Sequence, residues 1–292
     1  MQLSRRLVLG AVAGGVVTGC AGPAPAATPA PPPTPTDPAM ASATAAPSVT
    51  PTSAPAARIA AASDLHYGEP DTDYRRSAAE LVDKLNATHA ATPLDLVVLN
   101  GDLTHAARWL APLASVLADL VPPVLAVQGN HDGATEQQWR DTWGHGFDHW
   151  VDAGDVRVIA TATSNPAGDY LCADVGELTA QLQAAGDAPV IVAMHITPRT
   201  WTKYGIDCPG VTRLLGRSSN VVAVLNGHDH DHYGVKTSAG VPYLFDGRSG
   251  GHWGTSFRGF RVLEYFPDGH LDTWVTDGDT VHGRDVIAAR TR

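Results

Sequence analysis

Three shortages narrow what this 292-residue chain can be. Cysteine is scarce: there are three, and with Cys20 near the start only Cys172 and Cys208 remain further along. That pair is compatible with one disulfide or with two free buried thiols. Basic residues are outnumbered, 20 Lys and Arg against 30 Asp and Glu, for a formal net charge of −10. Binding of long nucleic acid through a basic face is thereby disfavoured, because phosphate attraction needs clustered cations. The apolar run Leu7 to Gly19 falls short of the ~20 residues that span a bilayer. No internal repeat is visible.

The start of the chain reads as targeting rather than fold. Met1 to Arg6 is positively charged, Leu7 to Gly19 is apolar, and Cys20 follows Val17-Thr-Gly19. This is the pattern of an export signal, residues 1–19, that is removed on maturation. Ser4-Arg5-Arg6 resembles a twin-arginine signal, with Val8 where Phe is usual. Val17-Thr-Gly-Cys20 resembles a bacterial lipobox, with Val in place of Leu, and implies lipid attachment to the Cys20 thiol. An ordinary secretion signal with a chance cysteine is the plainer alternative. Residues 20–57, mostly Pro, Ala, Thr and Ser, have little to bury and read as a disordered tether. The expectation is an exported protein of the cell envelope, facing outside the cytoplasm, that meets the membrane only through its lipid. Its folded domain covers residues 58–292.

Within that domain, apolar runs at Arg58–Ser63, Leu94–Leu99, Val124–Val127, Val156–Thr163, Ala188–Ala193 and Val221–Leu225 predict strands. Helical spacing predicts helices over Tyr74–Ala90, Arg108–Leu120, Val175–Ala185 and Val211–Leu215. Val235–Phe245 and Phe260–Val275, the latter turning at Pro267-Asp-Gly269, predict hairpins. Alternating strands and helices followed by hairpins suggest an α/β fold of two stacked sheets covered by helices.

The predicted strands end in metal-ligand chemistry. Their tips read Asp64-Leu-His66, Asn100-Gly-Asp102, Gly129-Asn-His-Asp132, Met194-His195 and Asn226-Gly-His-Asp-His230. Each alone has an ordinary explanation: Gly-Asp is a turn, and a lone histidine after a strand is a hydrogen-bonded core residue. Five in series are harder to explain, since gathering so many carboxylates and imidazoles without a cation is costly. Asp, Asn and His together suit hard and borderline ions rather than a thiolate site.

This order of motifs resembles the calcineurin-like metallophosphoesterase family over residues 58–230. The resemblance implies a four-layer α/β/β/α sandwich of two mixed sheets flanked by helices, with two metal ions (Fe, Mn or Zn) at the strand ends. By motif position, Asp64, His66, Asp102 and His230 would hold one ion. Asp102, Asn130, His195 and His228 would hold the other, with Asp102 bridging. His131 would face the substrate and stabilise or protonate the leaving group, and Asp132 would orient it. The implied activity is hydrolysis of a small phosphomonoester or phosphodiester by a metal-bridging hydroxide. The rival reading is a tethered lipoprotein that binds a phosphorylated ligand or metal without turnover. A metallo-β-lactamase is rejected, because His228-Asp-His-Asp-His232 lacks the required spacing.

Weaker candidates stand beside these. His105 either lines the site or sits on a loop; no tyrosine ligand occurs near it, which argues against the purple acid phosphatase branch. Asp229 is a second support for a ligand histidine or a solvent-facing acid. Arg199, Trp201, Lys203 and Tyr204 read as a solvated loop, with contact to substrate the alternative. Arg248, Gly250, Gly251, His252 and Trp253 are placed where backbone could approach the site closely. His145, His149 and Trp150 read as a structural loop.

Overall fold

The computed structural model describes residues 53–290, all within the compact unit Pro51–Arg292. The expected export signal, Cys20 and nearly all of the expected tether lie outside the described residues. Among the described residues, twelve strands form two six-stranded sheets. The first sheet runs β12 (Val281–Ile287), β11 (Leu271–Thr276), β10 (Phe260–Tyr265), β1 (Ala57–Ala62), β2 (Leu96–Asn100), β3 (Val124–Val127). The second runs β4 (His149–Ala153), β5 (Val156–Ala160), β6 (Val190–Ala193), β7 (Val221–Asn226), β9 (Val241–Phe245), β8 (Val235–Ser238). Both are mixed. β1, β2 and β3 are parallel, as are β5, β6, β7 and β9, while the hairpin strands are antiparallel.

The central strands are continuously apolar because both of their faces are covered. Alternate side chains go to different cores. Ala60, Ala62, Val97 and Leu99 face helices α1 (Tyr74–Ala91), α2 (Leu110–Leu117) and α3 (Glu136–Trp143), meeting Leu81, Leu85, Leu113 and Trp139. Ile59, Ala61, Leu96 and Val98 face the second sheet, meeting Val158, Ile191, Ala223 and Leu225. On that sheet's far side Val192, Val224 and Tyr243 meet α4 (Val175–Ala184) and α5 (Pro209–Arg217) through Leu178, Leu182, Val211 and Leu215. The architecture is thus the expected α/β/β/α sandwich. Among the described residues no helix is long and apolar enough to cross a membrane.

Local departures have local causes. The helix expected over Arg108–Leu120 opens as a 3-10 turn (Ala107–Trp109) before α2. Helix α3 was hidden by its polar composition. Its ends are nevertheless written in the chain: Thr135 and Gln138 form a reciprocal capping box, and Gly144 closes it at φ 80°. Strand β4 replaces the structural loop expected around His149 and Trp150, and β12 adds an edge strand beyond the predicted hairpins. Cys172 and Cys208 are joined in a disulfide, with Cα atoms 5.6 Å apart, which ties the segment before α4 to the N-cap of α5.

Candidate metal centre

The parallel strands of both sheets deliver their carboxyl ends to one place. From the first sheet come Asp64 and His66 after β1, Asp102 after β2, and Asn130, His131 and Asp132 after β3. From the second come His195 after β6, and His228 and His230 after β7. The chain must turn sharply to aim these side chains. Asp64, His66, Asp102 and His228 all take positive φ, between 49° and 70°. Such backbone is unfavourable for residues with a Cβ and clusters at functional sites. Two glycines make room. Gly101, at φ 91°, has the His195 ring where a Cβ would lie, and a Cβ on Gly129 would sit 2.1 Å from the Asp102 amide nitrogen.

Two fully buried groups of ligand atoms result, Asp64, His66 and His230 in one and Asp102, His195 and His228 in the other; a third, less buried, joins His66 to His105 and His131. His230 Nε2 lies 3.1 Å from Asp64 Oδ1 and 3.0 Å from His66 Nε2. His195 Nε2 lies 3.2 Å from Asp102 Oδ2, which is also 3.8 Å from His66 Nε2. Asp102 therefore faces both groups. The outer ring nitrogens are already engaged: His195 Nδ1 donates to Asn100 O at 2.8 Å and His230 Nδ1 to Trp253 O at 3.3 Å. That leaves each Nε2 pointed at a carboxylate or at another imidazole.

Such an arrangement calls for positive charge. Asp64 Oδ1, Asp102 Oδ2, His195 Nε2, His228 Nε2 and Asn130 Oδ1 are buried without a hydrogen-bond partner. Four of them, from Asp64, Asp102, His195 and His228, lie together, an exceptional concentration, since buried polar atoms are nearly always paired. The titration directions agree. Burial pulls His195 down, but the carboxylates of Asp102 and Asp64 overcome it and carry the ring up to about 10. Burial likewise opposes the rise of His230, which Asp64 drives. Asp102 and Asp64 are lowered by their histidine neighbours despite burial. His66 and His228, where burial wins, fall to about 4 and so offer neutral nitrogens. The donor set fits two hard or borderline cations, and Asn130 adds a neutral oxygen.

Behind the ligands lies a supporting layer. Ser63 Oγ is 2.5 Å from Asp64 Oδ2 and 2.6 Å from Asp246 Oδ1. Asp64 Oδ2 also accepts from the His228 N–H at 2.9 Å. One hydroxyl hydrogen cannot serve two carboxylates, so the Asp246–Ser63–Asp64 chain closes when Asp246 is the protonated member. Burial, reinforced by the Asp64 charge, raises Asp246 well above the ordinary range. Neither Ser63 nor Asp246 stood out in the sequence.

Asp132 differs from expectation. Its oxygens accept from the N–H and Oγ1 of Thr104 and from Gly129 N–H, so it braces the strand-end turns rather than the His131 ring. Burial and the neighbouring Asp102 push its carboxyl up to about 7 against those bonds. The backbone of His131 is fixed instead by Asp102, whose Oδ1 accepts its N–H at 2.7 Å.

A cleft of about 260 Å³ opens over the two groups. His105 and His131 line it with stacked rings 5.3 Å apart, so His105 is a site residue and not merely a loop residue. Tyr204 and Trp253 line it too, as does Tyr170, which gave no signal in the sequence. Glu69 is another lining residue missed there, sitting three positions beyond His66. Arg248 spends its guanidinium on the carbonyls of Gly250, Gly251 and Thr255, shaping the loop whose Gly250 N–H reaches Asp64 O. Asp229 accepts from Thr202 Oγ1 rather than supporting a histidine ring, and Arg199 bonds Ser238.

Residues 57–232 match the family model described as "calcineurin-like phosphoesterase". A search of curated proteins finds no match. Among solved structures the fold is similar to a dimetal phosphatase from Danio rerio, with TM-score 0.65, 13% identity and coverage of 81% of this chain and 100% of that one. It is also similar to purple acid phosphatase PPD1 from yellow lupin, Lupinus luteus, with TM-score 0.60, 14% identity and coverage of 80% of this chain and 54% of that one. At these identities the likeness speaks for the fold alone.

Proposed function

Because the chain belongs to the calcineurin-like phosphoesterase family, we propose that it is a binuclear metal-dependent hydrolase of small phosphoesters, exported and tethered by lipid at Cys20. The observation that carries this reading is the convergence of orphaned buried atoms from Asp64, Asp102, His195 and His228. Asp64, His66, Asp102 and His230 would hold one cation, and Asp102, Asn130, His195 and His228 the other. Bound there, the cations would neutralise phosphoryl oxygens and acidify a water.

The remaining work falls to the chain. The strained strand ends hold the ligands in place before substrate arrives. Asp102 couples the halves of the site, since one oxygen faces both groups and the other fixes the His131 backbone. His131 is exposed at the cleft and free to hand a proton to the departing oxygen. His105, stacked on it, limits where that ring can turn. The export reading draws support from the Cys172–Cys208 disulfide, a bond favoured outside the reducing cytoplasm.

The test is to load the purified chain with Fe, Mn or Zn and screen a panel of phosphomonoesters and phosphodiesters while counting bound metal. Metal-dependent release of product is expected. Tight phosphate retention without turnover of any ester would favour the binding-lipoprotein reading instead.

A further inference from the structure

We propose that the substrate is a phosphodiester carrying a planar or apolar second ester group, selected against monoesters by Glu69. The proposal rests on the phosphoesterase reading and narrows its substrate class.

The first observation is charge. Among the described residues that line the cleft there is no lysine or arginine. Arg248 lies nearby but is tied to backbone carbonyls, and Lys203 stands at the exposed rim with Nζ 3.2 Å from Tyr204 Oη. The cleft holds a carboxylate outside the ligand groups: Glu69, only 7% exposed. Its Oε1 meets His252 Nδ1 at 2.6 Å, while its Oε2 is buried without a partner. Glu69 Oε2 and the carbon edges of His66 and His230 all lie within 3.5 Å of one point beside Gly251, so the free oxygen shares the cleft wall with both ligand rings. A monoester carries close to two negative charges above its second pKa of about 6. A diester carries one. The additional charge would face the unpartnered oxygen of Glu69 in a partly enclosed cleft, where Coulomb repulsion is only weakly screened.

The second observation is shape. Tyr170 and Tyr204 meet the His228 ring edge-on at 4.8 and 5.6 Å, and Trp253 stacks on His230 at 4.1 Å. These rings make an aromatic wall beside the ligand groups, and Tyr170 remains 40% exposed. A monoester has only its leaving group to place against that wall, whereas a diester has a second ester group that can stay there while the leaving group departs.

In the reaction one water oxygen bonds to phosphorus, and the bond to the leaving oxygen breaks with its electron pair going to that oxygen. One water proton ends on the leaving alcohol or phenol and the other on solvent. The products are that alcohol and a phosphomonoester, whose new charge Glu69 would help to expel.

The experiment uses the metal-loaded full chain at mildly alkaline pH. Turnover of 4-nitrophenyl phosphate is compared with that of 4-nitrophenyl phenyl phosphate, which shares its leaving group. Calorimetric binding is compared for phenylphosphonate, which has no ester bond, and its monomethyl ester, whose methoxide is a poor leaving group. We expect the diester and the monoanionic phosphonate to be favoured about tenfold or more, as one uncompensated repulsion of this kind implies. Glu69→Gln should narrow both ratios chiefly by improving the dianionic member, and Tyr170→Ala should weaken the diester alone. Equal or better use of the monoester by the unaltered chain would overturn the proposal. So would ratios that Glu69→Gln leaves unmoved at full metal content. Cleavage of neither ester, nor of any other, removes the phosphoesterase reading itself, a different failure from a reversed preference.

Discussion

Replacing Cys172 by Ser and the buried Cys208 by Ala removes a bond that closes 36 residues of chain, from before α4 to the start of α5. In the chain-entropy description, closing a loop of that length takes about 13 cal/mol/K from the unfolded ensemble, or about 4 kcal/mol at 25 °C. A domain of this size loses roughly 2–4 °C of Tm per kcal/mol, so the double variant should melt roughly 8–16 °C lower. The enclosed segment contains β6 and, at its tip, His195. Both strand and ring are wholly buried, so at low temperature the variant should keep its metal complement. Urea unfolding of the oxidised chain, the reduced chain and the double variant checks this, with metal analysis of each. The reduced chain and the variant should coincide. A loss below about 1 kcal/mol would refute the reasoning, because it would mean that the unfolded segment gains little freedom when released.

Three further outcomes follow from the site and its surroundings. Asn130→Ala should weaken retention of one metal, whereas His131→Ala should keep the full complement and slow turnover by roughly 10²–10⁴, the usual worth of a general acid; metal analysis beside steady-state kinetics separates them. Asp246→Asn should preserve metal affinity, since an amide can donate to Ser63 as a protonated carboxyl does. Asp246→Ala and Ser63→Ala should cost about 10–100-fold in a metal titration, and equal damage from Asn and Ala would sink that assignment. In the β11–β12 turn, burial would raise Asp277, but bonds from His282 and from the N–H groups of Thr280 and Asp279 outweigh it and bring the carboxyl to about 2. A depressed folded pKa gives stability that is present above the ordinary carboxylate range and lost as pH falls from about 4 through about 2. Asp277→Ala should lose less stability than the unaltered chain across that window, as chemical denaturation at stepped pH would reveal.

How much of this was legible in the chain depended on what kind of signal each feature leaves. The central strands announce themselves because burial on both faces makes them continuously apolar, and their polar tips stand out against that background. The edge strand β12 carries exposed Val281 and Val286 among polar residues and has no such contrast. Helix α3 buries little beyond Trp139, so its apolar period is faint although its caps are explicit. In the site, residues that share a motif were visible together. Ser63 and Asp246 were not, because they meet across 183 positions and acquire meaning only through the hydroxyl between two carboxylates. Glu69 and Tyr170 are single residues on loops, defined by the cleft that they line. Asp132 shows the reverse error: adjacency to His131 suggested contact, but the turn at Gly129 directs its carboxylate toward Thr104.

Each ligand group draws on both sheets. Asp64 and His66 come from the first and His230 from the second; Asp102 comes from the first and His195 and His228 from the second. A cation in either group would be a rivet through the sandwich, and its occupancy would enter the unfolding free energy directly. At a hundred times its dissociation constant each ion would add about 2.7 kcal/mol. Cofactor supply and resistance to unfolding would then be one variable, and a chelator would lower the stability of this protein together with its turnover.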